Sequence, residues 1–370
     1  MSNIGNLPTL SINKSVDLLT TMYSNVINNG IELKKMPAVI LHGQPGVGKS
    51  QSIKQLANNL EDNTHKKVVI TDVRLILFNP VDLRGIPTSN QDKTLAIWLK
   101  PKIFDMDSSE DVINILFLDE ISSASPSVQA AAYQITLDRT VGEHKLPDNC
   151  IVIAAGNRIT DKAVAYQMPS PLANRFMHFE IESDFESWNA WAILNGINPK
   201  VLGFLKFKPN YLNTFDNRNT SLAFATGRTW EMVSNILNNV SDDVSAVFEM
   251  IAGLVGTGIA TEFRGWVRVF KDLPDIKAIF EGKETTIPTN TDTIYALTSA
   301  MVSYAKKHKD EMNLIENSIK YAMQLPPDFS LLLLKDYMYL DKDYKVKLLR
   351  IPEYEKWVKT RGRLLDGSFR

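Results

Sequence analysis

The first half of the chain alternates between short, β-branched apolar runs and segments with helical periodicity. Five of these runs have the length of buried strands and lie at residues 38–42, 67–73, 113–118, 150–155 and 176–181. Parallel strands covered on both faces read as continuous apolar runs, and the helices between them supply the crossovers. The pattern therefore predicts an α/β domain with a five-stranded parallel sheet in three layers.

The second half of the chain has a different pattern. After about Ser183 the strand signal fades, and helical periodicity rich in Trp, Leu and Phe continues to the end of the sequence. A polar, turn-rich stretch at residues 282–293 interrupts it. The expected domains are an α/β core over residues 1–183, a helical lid over 184–281 and a helical extension over 282–370.

Composition narrows the class of protein. The 370 residues include 41 Lys and Arg against 42 Asp and Glu, and this balance argues against a bulk polyanion binder but leaves a local basic patch open. The single cysteine, Cys150, excludes an intramolecular disulfide and a cysteine-based zinc site. The first residues lack a signal-peptide pattern, and no apolar run is long enough for a membrane. We expect a soluble, cytoplasmic protein without a membrane partner.

A glycine-rich loop follows the first predicted strand and leads into a helical pattern. Its sequence GQPGVGKS fits G-x-x-x-x-G-K-[ST], in which backbone N–H groups surround phosphate oxygens at a helix N-terminus. The lysine would neutralise the β and γ phosphates, and the serine would ligate Mg²⁺. A chance match in a chain of this length has a frequency of roughly one in a hundred. The candidate nucleotide-binding residues are Gly43, Gln44, Pro45, Gly46, Val47, Gly48, Lys49 and Ser50.

Two adjacent carboxylates end the third predicted strand. Asp119 and Glu120 would lie at the carboxyl edge of the sheet, where ligands of open α/β folds bind. We expect Asp119 to hold Mg²⁺ together with Ser50, and Glu120 to polarise the water that attacks the γ-phosphate. An isolated Asp-Glu pair is typical of a solvated strand end, but the phosphate loop favours the catalytic interpretation.

Asn157 follows the fourth predicted strand. If that strand lies between the first and the third, Asn157 is expected beside the γ-phosphate, where it would bind the attacking water. The ordered motifs GQPGVGKS, ILFLDE, AAGNR, SPLANRF and ATGRTWE resemble those of AAA+ ATPases, specifically the MoxR-like type common in phages and bacteria. The resemblance covers most of residues 35–240.

The resemblance implies roles for three residues. Asn157 matches sensor 1, Arg175 matches the arginine finger that reaches a neighbouring subunit, and Arg228 matches sensor 2. The family commonly has proline before the sensor 2 arginine, whereas this chain has Gly227, which leaves the helix start open. Arg228 would otherwise be an arginine that caps the lid against the core.

Other arginines have two open interpretations. Arg158 and Arg139 are either subunit-interface residues or members of surface salt bridges. The surface salt bridge is the more common role of such an arginine.

Two segments match hairpins of the resembled family. Residues 79–102 lie where MoxR-like proteins carry an insertion in helix 2, and residues 137–149 match the hairpin before sensor 1, with Gly142 and Glu143 near its tip. In the family both hairpins point to the central pore of a ring, so they are candidates for substrate contact. The alternative for individual residues is hydrophobic packing, and this applies to Leu95, Ile97 and Trp98.

The helical half offers little chemistry beyond Arg228. Trp188, Trp191, Leu194, Val201 and Leu205 have helical spacing and are expected in the core rather than in a ligand site. The mildly basic C-terminal stretch also contains aromatic residues and could touch nucleic acid or a partner, although a solvated helix face is favoured. Its aromatic residues are Tyr344, Tyr354 and Trp357.

The combined function predicted from the sequence is Mg²⁺-dependent ATP hydrolysis by a homo-oligomeric ring, with a hexamer as the expected form. ATP and Mg²⁺ are the implied cofactors, and Arg175 of one subunit would complete the site of the next. The resemblance further implies remodelling of a protein client, such as a protein with a von Willebrand factor A domain. The alternatives are a motor that depends on nucleic acid and a slow nucleotide-dependent switch or scaffold.

Overall fold

The computed structural model describes residues 7–158, 166, 168, 173–218 and 221–361. They form two compact units. The first unit ends at Asp184 and also takes in Asp216–Arg218, while the second contains Phe185–Phe215 and the chain from Asn219 onward. The first unit holds the sheet and the second is helical. The division of the helical half at residue 282 stays a prediction.

A parallel sheet organises the first unit. Its strands are β1 (Thr9–Leu10), β2 (Ala38–Gly43), β3 (Lys67–Arg74), β6 (Val112–Asp119), β9 (Cys150–Gly156) and β10 (Phe176–Ile181). They lie in the order β1-β10-β2-β9-β6-β3, and all neighbours are parallel. The α/β fold and the five expected strands are confirmed, but the strand number is wrong by one. Strand β1 has only two residues, which is too short to produce a sequence pattern.

Helices cover both faces of this sheet, as expected for three layers. They are α1 (Ile12–Asn28), α2 (Lys49–Thr64), α3 (Pro80–Arg84) and α4 (Pro126–Leu137). Alternate residues of β6 enter opposite cores: Leu116 packs with the buried face of α4, and Ile115 packs with α1 and α2. Because successive side chains of a strand point to opposite faces, a strand between two helical layers must be apolar throughout.

Two hairpins project from the connections of the sheet. Strands β4 (Ile86–Ser89) and β5 (Ala96–Leu99) pair antiparallel within residues 79–102. Strands β7 (Thr140–Val141) and β8 (His144–Lys145) pair within residues 137–149.

The two hairpins touch each other. A ring nitrogen of His144, Nε2, lies 2.7 Å from the carbonyl oxygen of Trp98. Gly142 has a φ of +59°, and a Cβ added there would lie 2.4 Å from the carbonyl oxygen of Arg84. Glycine is therefore required at the tip of the second hairpin, because the chain just before the first hairpin approaches its backbone there.

The second unit is built from helices. They are α5 (Phe185–Leu194), α6 (Pro199–Phe207), α7 (Gly227–Asn239), α8 (Phe248–Val255), α9 (Thr257–Trp266), α10 (Ile276–Phe280), α11 (Thr291–Lys307), α12 (Met312–Ala322), α13 (Pro327–Tyr337), α14 (Tyr344–Leu348) and α15 (Pro352–Arg361). Aromatic rings fill part of its core, where Phe204 lies 5.2 Å from Phe263 and 5.6 Å from Trp230. Within the described residues, no helix combines the length and apolar character needed to cross a membrane.

A buried ion pair also lies in this helical core. The ammonium of Lys206 on α6 contacts Oδ2 of Asp336 on α13, and both side chains are only 1% exposed. Asn189 of α5 donates from Nδ2 to Oδ1 of the same carboxylate at 2.7 Å. The carboxylate of α13 thus binds side chains from two consecutive helices, α5 and α6, that are distant from it in sequence.

Burial corrects some expectations for the helical half. Val201 and Leu205 are core residues as expected, but Leu194 is 42% exposed because it is the last residue of α5. The aromatic residues of the C-terminal stretch, Tyr344, Tyr354 and Trp357, are all buried in the helical core. They cannot serve as exposed stacking platforms for bases, and residues 362–370 of that stretch lie outside the described residues.

Candidate functional site

The polar residues singled out in the sequence meet at the carboxyl edge of the sheet. Strand β9 lies between β2 and β6, so the loops that follow these three strands are adjacent. The first leads through the glycine loop into α2, the second carries Asp119 and Glu120, and the third carries Asn157. The condition stated for Asn157, that the fourth predicted strand lies between the first and the third, is met.

The glycine loop has the backbone that its sequence requires. Gly46 and Gly48 have φ values of +75° and +106°, in the left-handed region that glycine enters without steric cost. Gly43 has a different reason to be glycine, since an added Cβ would lie 2.7 Å from the carbonyl oxygen of Ile181. The loop ends where α2 begins at Lys49, so the helix N-terminus faces the loop.

Lys49 is buried and directed into the loop. Its Nζ donates to the carbonyl oxygen of Gly43 at 2.7 Å and to that of Gln44 at 3.0 Å. It also donates to Oδ1 of Asn157 at 3.3 Å, which joins the loop to the end of β9. A cation held by neutral oxygens in this way is placed to meet an anion that enters the loop.

Ser50 and Asp119 are in direct contact. The Ser50 hydroxyl donates to Oδ2 of Asp119 at 3.0 Å, and Oδ1 of Asp119 accepts from the backbone N–H of Glu120 at 2.9 Å. Asp119 is 7% exposed. A hydroxyl and a buried carboxylate oxygen at this separation can serve as two ligands of one hard divalent cation.

Glu120 adopts an uncommon backbone conformation. Its φ is +58°, in the left-handed region that costs a non-glycine residue of order 1 kcal/mol or more. The turn is fixed on both sides, because Ile121 N–H donates to the carbonyl oxygen of Ala155 and Ala124 N–H donates to that of Glu120. Strain of this kind is common where a side chain must be aimed at a reacting group.

Sequence reasoning missed the partner of Arg158. Its Nη1 donates to Oε1 of Glu180 at 3.0 Å, and Glu180 is 2% exposed. Glu180 pairs with His42 across the β10–β2 ladder, so the ion pair links the ends of β9 and β10 across β2. The signal in the sequence was a charged residue inside an otherwise apolar strand. Arg158 is therefore part of a buried ion pair rather than a surface one.

A further carboxylate lies near the edge. Asp72 stands on β3, which pairs with β6. Burial, and then the negative charge of Asp119, raise the pKa of Asp72 above its usual value. This interaction was not anticipated from the sequence.

Arg175 lies at the opposite edge of the sheet. It directly precedes β10, whose first residue, Phe176, pairs with Ala38 at the amino end of β2. The glycine loop begins five strand residues further on, about 16 Å away. Arg175 is exposed and lines a cavity of about 390 Å³ together with Lys34 and Arg139. The structure thus does not bring Arg175 to the loop of its own chain.

Arg139 is tied to the backbone rather than to a surface carboxylate. Its Nη2 donates to the carbonyl oxygens of Pro147 at 3.2 Å and Cys150 at 2.6 Å. These bonds connect the end of α4 to the base of the second hairpin and to the start of β9.

Arg228 lies in the helical unit as the second residue of α7, and its side chain is exposed. The start of this helix is well defined without proline. Thr226 N–H donates to Oγ1 of Thr229 at 2.8 Å, and Thr229 N–H donates to Oγ1 of Thr226 at 3.2 Å. This capping box fixes the helix start that Gly227 left open.

The first hairpin exposes apolar side chains. Leu95 and Ile97 are 67% and 40% exposed, whereas Trp98 is half-buried. Of these three residues, only Trp98 fits the alternative of hydrophobic packing.

The residues around the loop suit a magnesium nucleotide. Among the described residues, no group of three or more His, Cys, Asp or Glu side chains is placed to hold a metal. Mg²⁺ would therefore be held by Ser50 and Asp119 together with phosphate oxygens and water, as is usual for this ion. The fit rests on the Ser50–Asp119 contact beside a loop whose amides and lysine can receive the phosphates.

Comparison with protein families gives one domain-level match. Residues 38–178 match the model of the ATPase family associated with various cellular activities (AAA). The matched range includes the loop, both carboxylates, Asn157 and Arg175. A comparison with curated proteins gives no significant match.

Solved structures show loose similarity at low sequence identity. C. elegans PCH-2 is 16% identical, with a TM-score of 0.37 over 73% of this chain and 72% of that chain. A point mutant of Thermotoga maritima RuvB is 14% identical, with a TM-score of 0.35 over 80% of this chain and 85% of that chain. Brucella abortus NtrX in complex with ATP is 12% identical, with a TM-score of 0.36 over 90% of this chain and 69% of that chain.

Proposed function

We propose that residues 38–178, which match the AAA ATPase family, form a domain that hydrolyses ATP with Mg²⁺ at the carboxyl edge of the sheet. One observation carries the proposal: the glycine loop, Lys49, the Ser50–Asp119 pair and Asn157 converge there through direct hydrogen bonds. Lys49 would bind the β and γ phosphates, and Arg228 is proposed as the sensor 2 residue of the nucleotide.

The residues at the strand ends divide the chemistry of hydrolysis. Asn157 holds the attacking water, and Glu120 accepts its proton as the water oxygen bonds to the γ-phosphorus and the bond to the β-phosphate oxygen breaks. The products are ADP and inorganic phosphate. Mg²⁺ bound through Ser50 and Asp119 would neutralise phosphate charge.

The position of Arg175 supports a role in a neighbouring subunit. A guanidinium cannot span the roughly 16 Å of strand between the amino end of β2 and its own loop. Arg175 is exposed beside a cavity that Arg139 also lines, and an exposed guanidinium suits the triphosphate of a second copy. We therefore propose a homo-oligomeric ring, a hexamer in its expected form, in which Arg175 acts as the arginine finger.

The two hairpins are the proposed contacts for a client. They touch each other, and the first presents Leu95 and Ile97 to solvent. Exposed apolar side chains on a paired hairpin suit a protein segment better than a nucleic-acid backbone. We propose that residues 184–281 form a helical lid and that residues 282–370 form a helical extension after it. Movement of the lid would remodel a protein client. A client with a von Willebrand factor A domain is suggested by the family resemblance alone.

A nucleic-acid-dependent motor and a slow switch are the competing functions. Stimulation of hydrolysis by single- or double-stranded DNA, with binding that weakens steeply as salt rises, would favour the motor. Tight nucleotide binding with near-zero turnover would favour the switch.

The Glu120→Gln variant tests the proposed chemistry. We expect phosphate release to fall by about 10²- to 10⁴-fold, because the general base is lost, while ATP binding is retained. Glu110→Gln, a change at an exposed residue of the same unit, is the matched control and should release phosphate at the wild-type rate. Wild-type turnover by Glu120→Gln would contradict the assignment of the base.

A further inference from the structure

A pair of histidines connects the base of the glycine loop to the turn that carries Arg175. His42 Nε2 lies 2.9 Å from His178 Nδ1, and the two rings are coplanar to within 1°. His178 Nε2 in turn lies 2.7 Å from the carbonyl oxygen of Ala173. His42 directly precedes Gly43, and Ala173 lies two residues before Arg175.

The carbonyl oxygen at one end sets the direction of its hydrogen bond with His178. A carbonyl oxygen can only accept, so Nε2 of His178 carries the proton and donates to Ala173. With that ring singly protonated, its Nδ1 is the acceptor and Nε2 of His42 donates to it. The chain of donors therefore runs in one direction, from His42 through His178 to Ala173.

The two ends of the chain belong to different functional elements. At one end, the Gly43 carbonyl oxygen that follows His42 accepts from Lys49. At the other end, the Ala173 carbonyl belongs to the turn from which β10 and Arg175 begin. Strands β2 and β10 are neighbours in the sheet, and the two histidines bridge them on one face.

We propose that His42 and His178 are positioning residues for Arg175, which hold its turn in a fixed place relative to the glycine loop of the same chain. The inference rests on the proposed role of Arg175 in a neighbouring subunit. A guanidinium that stabilises a transition state must be held within about 0.5 Å of its productive position. The hydrogen bond to Ala173 restrains the turn two residues before Arg175.

The test is a double-mutant cycle of His178→Leu and Arg175→Ala, read as ATP turnover under assembling conditions. His178→Leu leaves Ala173 without its donor, and we expect kcat to fall about tenfold with the Kd for a fluorescent ATP analogue changed less than twofold. In the Arg175→Ala background the same change should have no further effect, because the group it positions is already gone. His178→Gln, which keeps one acceptor and one donor, should recover most of the lost kcat.

Each other outcome has a definite meaning. Losses that multiply in the double variant, or an equal loss of ATP binding, would overturn the positioning role. Wild-type turnover by Arg175→Ala would overturn the proposed finger and this inference with it. If His178→Leu does not fold, His42→Leu breaks the chain from the other end and must show the same non-additivity. His308→Leu, at a half-buried histidine of the helical unit, is the matched control and should leave kcat unchanged.

Discussion

The carboxyl edge of the sheet and the core of the helical unit both bury a lysine near an aspartate, but they pair the charges differently. In the helical core, Lys206 and Asp336 bind each other, and Asn189 binds the remaining carboxylate oxygen. At the sheet edge, Lys49 binds neutral oxygens while Asp119 binds a serine hydroxyl and a backbone amide. The first arrangement compensates its charges internally, whereas the second is suited to an anion and a cation from solution.

The largest expected effect on stability lies in the helical core. Lys206→Met leaves the Asp336 carboxylate buried without its cation, and we expect the free energy of unfolding to fall by about 3–5 kcal/mol. Chemical denaturation followed by tryptophan fluorescence would measure this, since five of the six tryptophans lie in the helical unit. Lys206→Met combined with Asp336→Leu should recover most of the loss. If Lys206→Met lowers the free energy of unfolding by less than about 1 kcal/mol, the buried Asp336 carboxylate does not need the lysine as its counter-ion.

Lowering the pH should reduce the stability of the sheet unit through the histidine pair. Burial, then His178 and Lys49, lower the pKa of His42 from 6.5 to about 4. Between pH 6.5 and about pH 4, the unfolded chain therefore binds more protons at His42 than the folded chain does. The contribution of neutral His42 to stability is thus complete above pH 6.5 and is lost as the pH falls towards 4. The expected loss is about 3 kcal/mol.

The difference between wild type and His42→Gln isolates this contribution, because glutamine keeps a donor for His178 but does not titrate. Unfolding free energies of both proteins at a series of pH values would measure it. A difference that does not change between pH 7 and pH 4 would contradict a neutral, buried His42.

The smallest effect on the free energy of unfolding is expected at Lys49, whose replacement should reduce turnover instead. Lys49→Met removes the cation that meets the phosphates, and we expect turnover to fall roughly a hundredfold or more. The free energy of unfolding should fall by less than it does for Lys206→Met, because the oxygens of Gly43, Gln44 and Asn157 that accept from Lys49 are neutral. A stability loss as large as that of Lys206→Met would remove the contrast between the two regions.

Local sequence carried most of the information about the sheet edge. The glycines at positive φ, the apolar strands and the polar residues that follow them are all set by neighbours within a few positions. The same reasoning missed Glu180, because its partner Arg158 lies 22 residues away and follows β9, a strand that does not neighbour β10. It also placed Leu194 in the core and left open whether the last aromatic residues were exposed, since helical spacing does not say which face a neighbouring helix will cover.

By itself, the sequence determined the α/β class, the glycine loop and the carboxylates that end the third predicted strand. These depend on backbone sterics and on the burial of short apolar runs. Only the tertiary structure decided which distant groups meet. It joined Lys206 to Asp336 across 130 residues and His42 to His178 across 136, and it placed Arg175 at the edge opposite its own loop. Such contacts follow from strand order and helix packing, which the periodicity of a single segment does not contain.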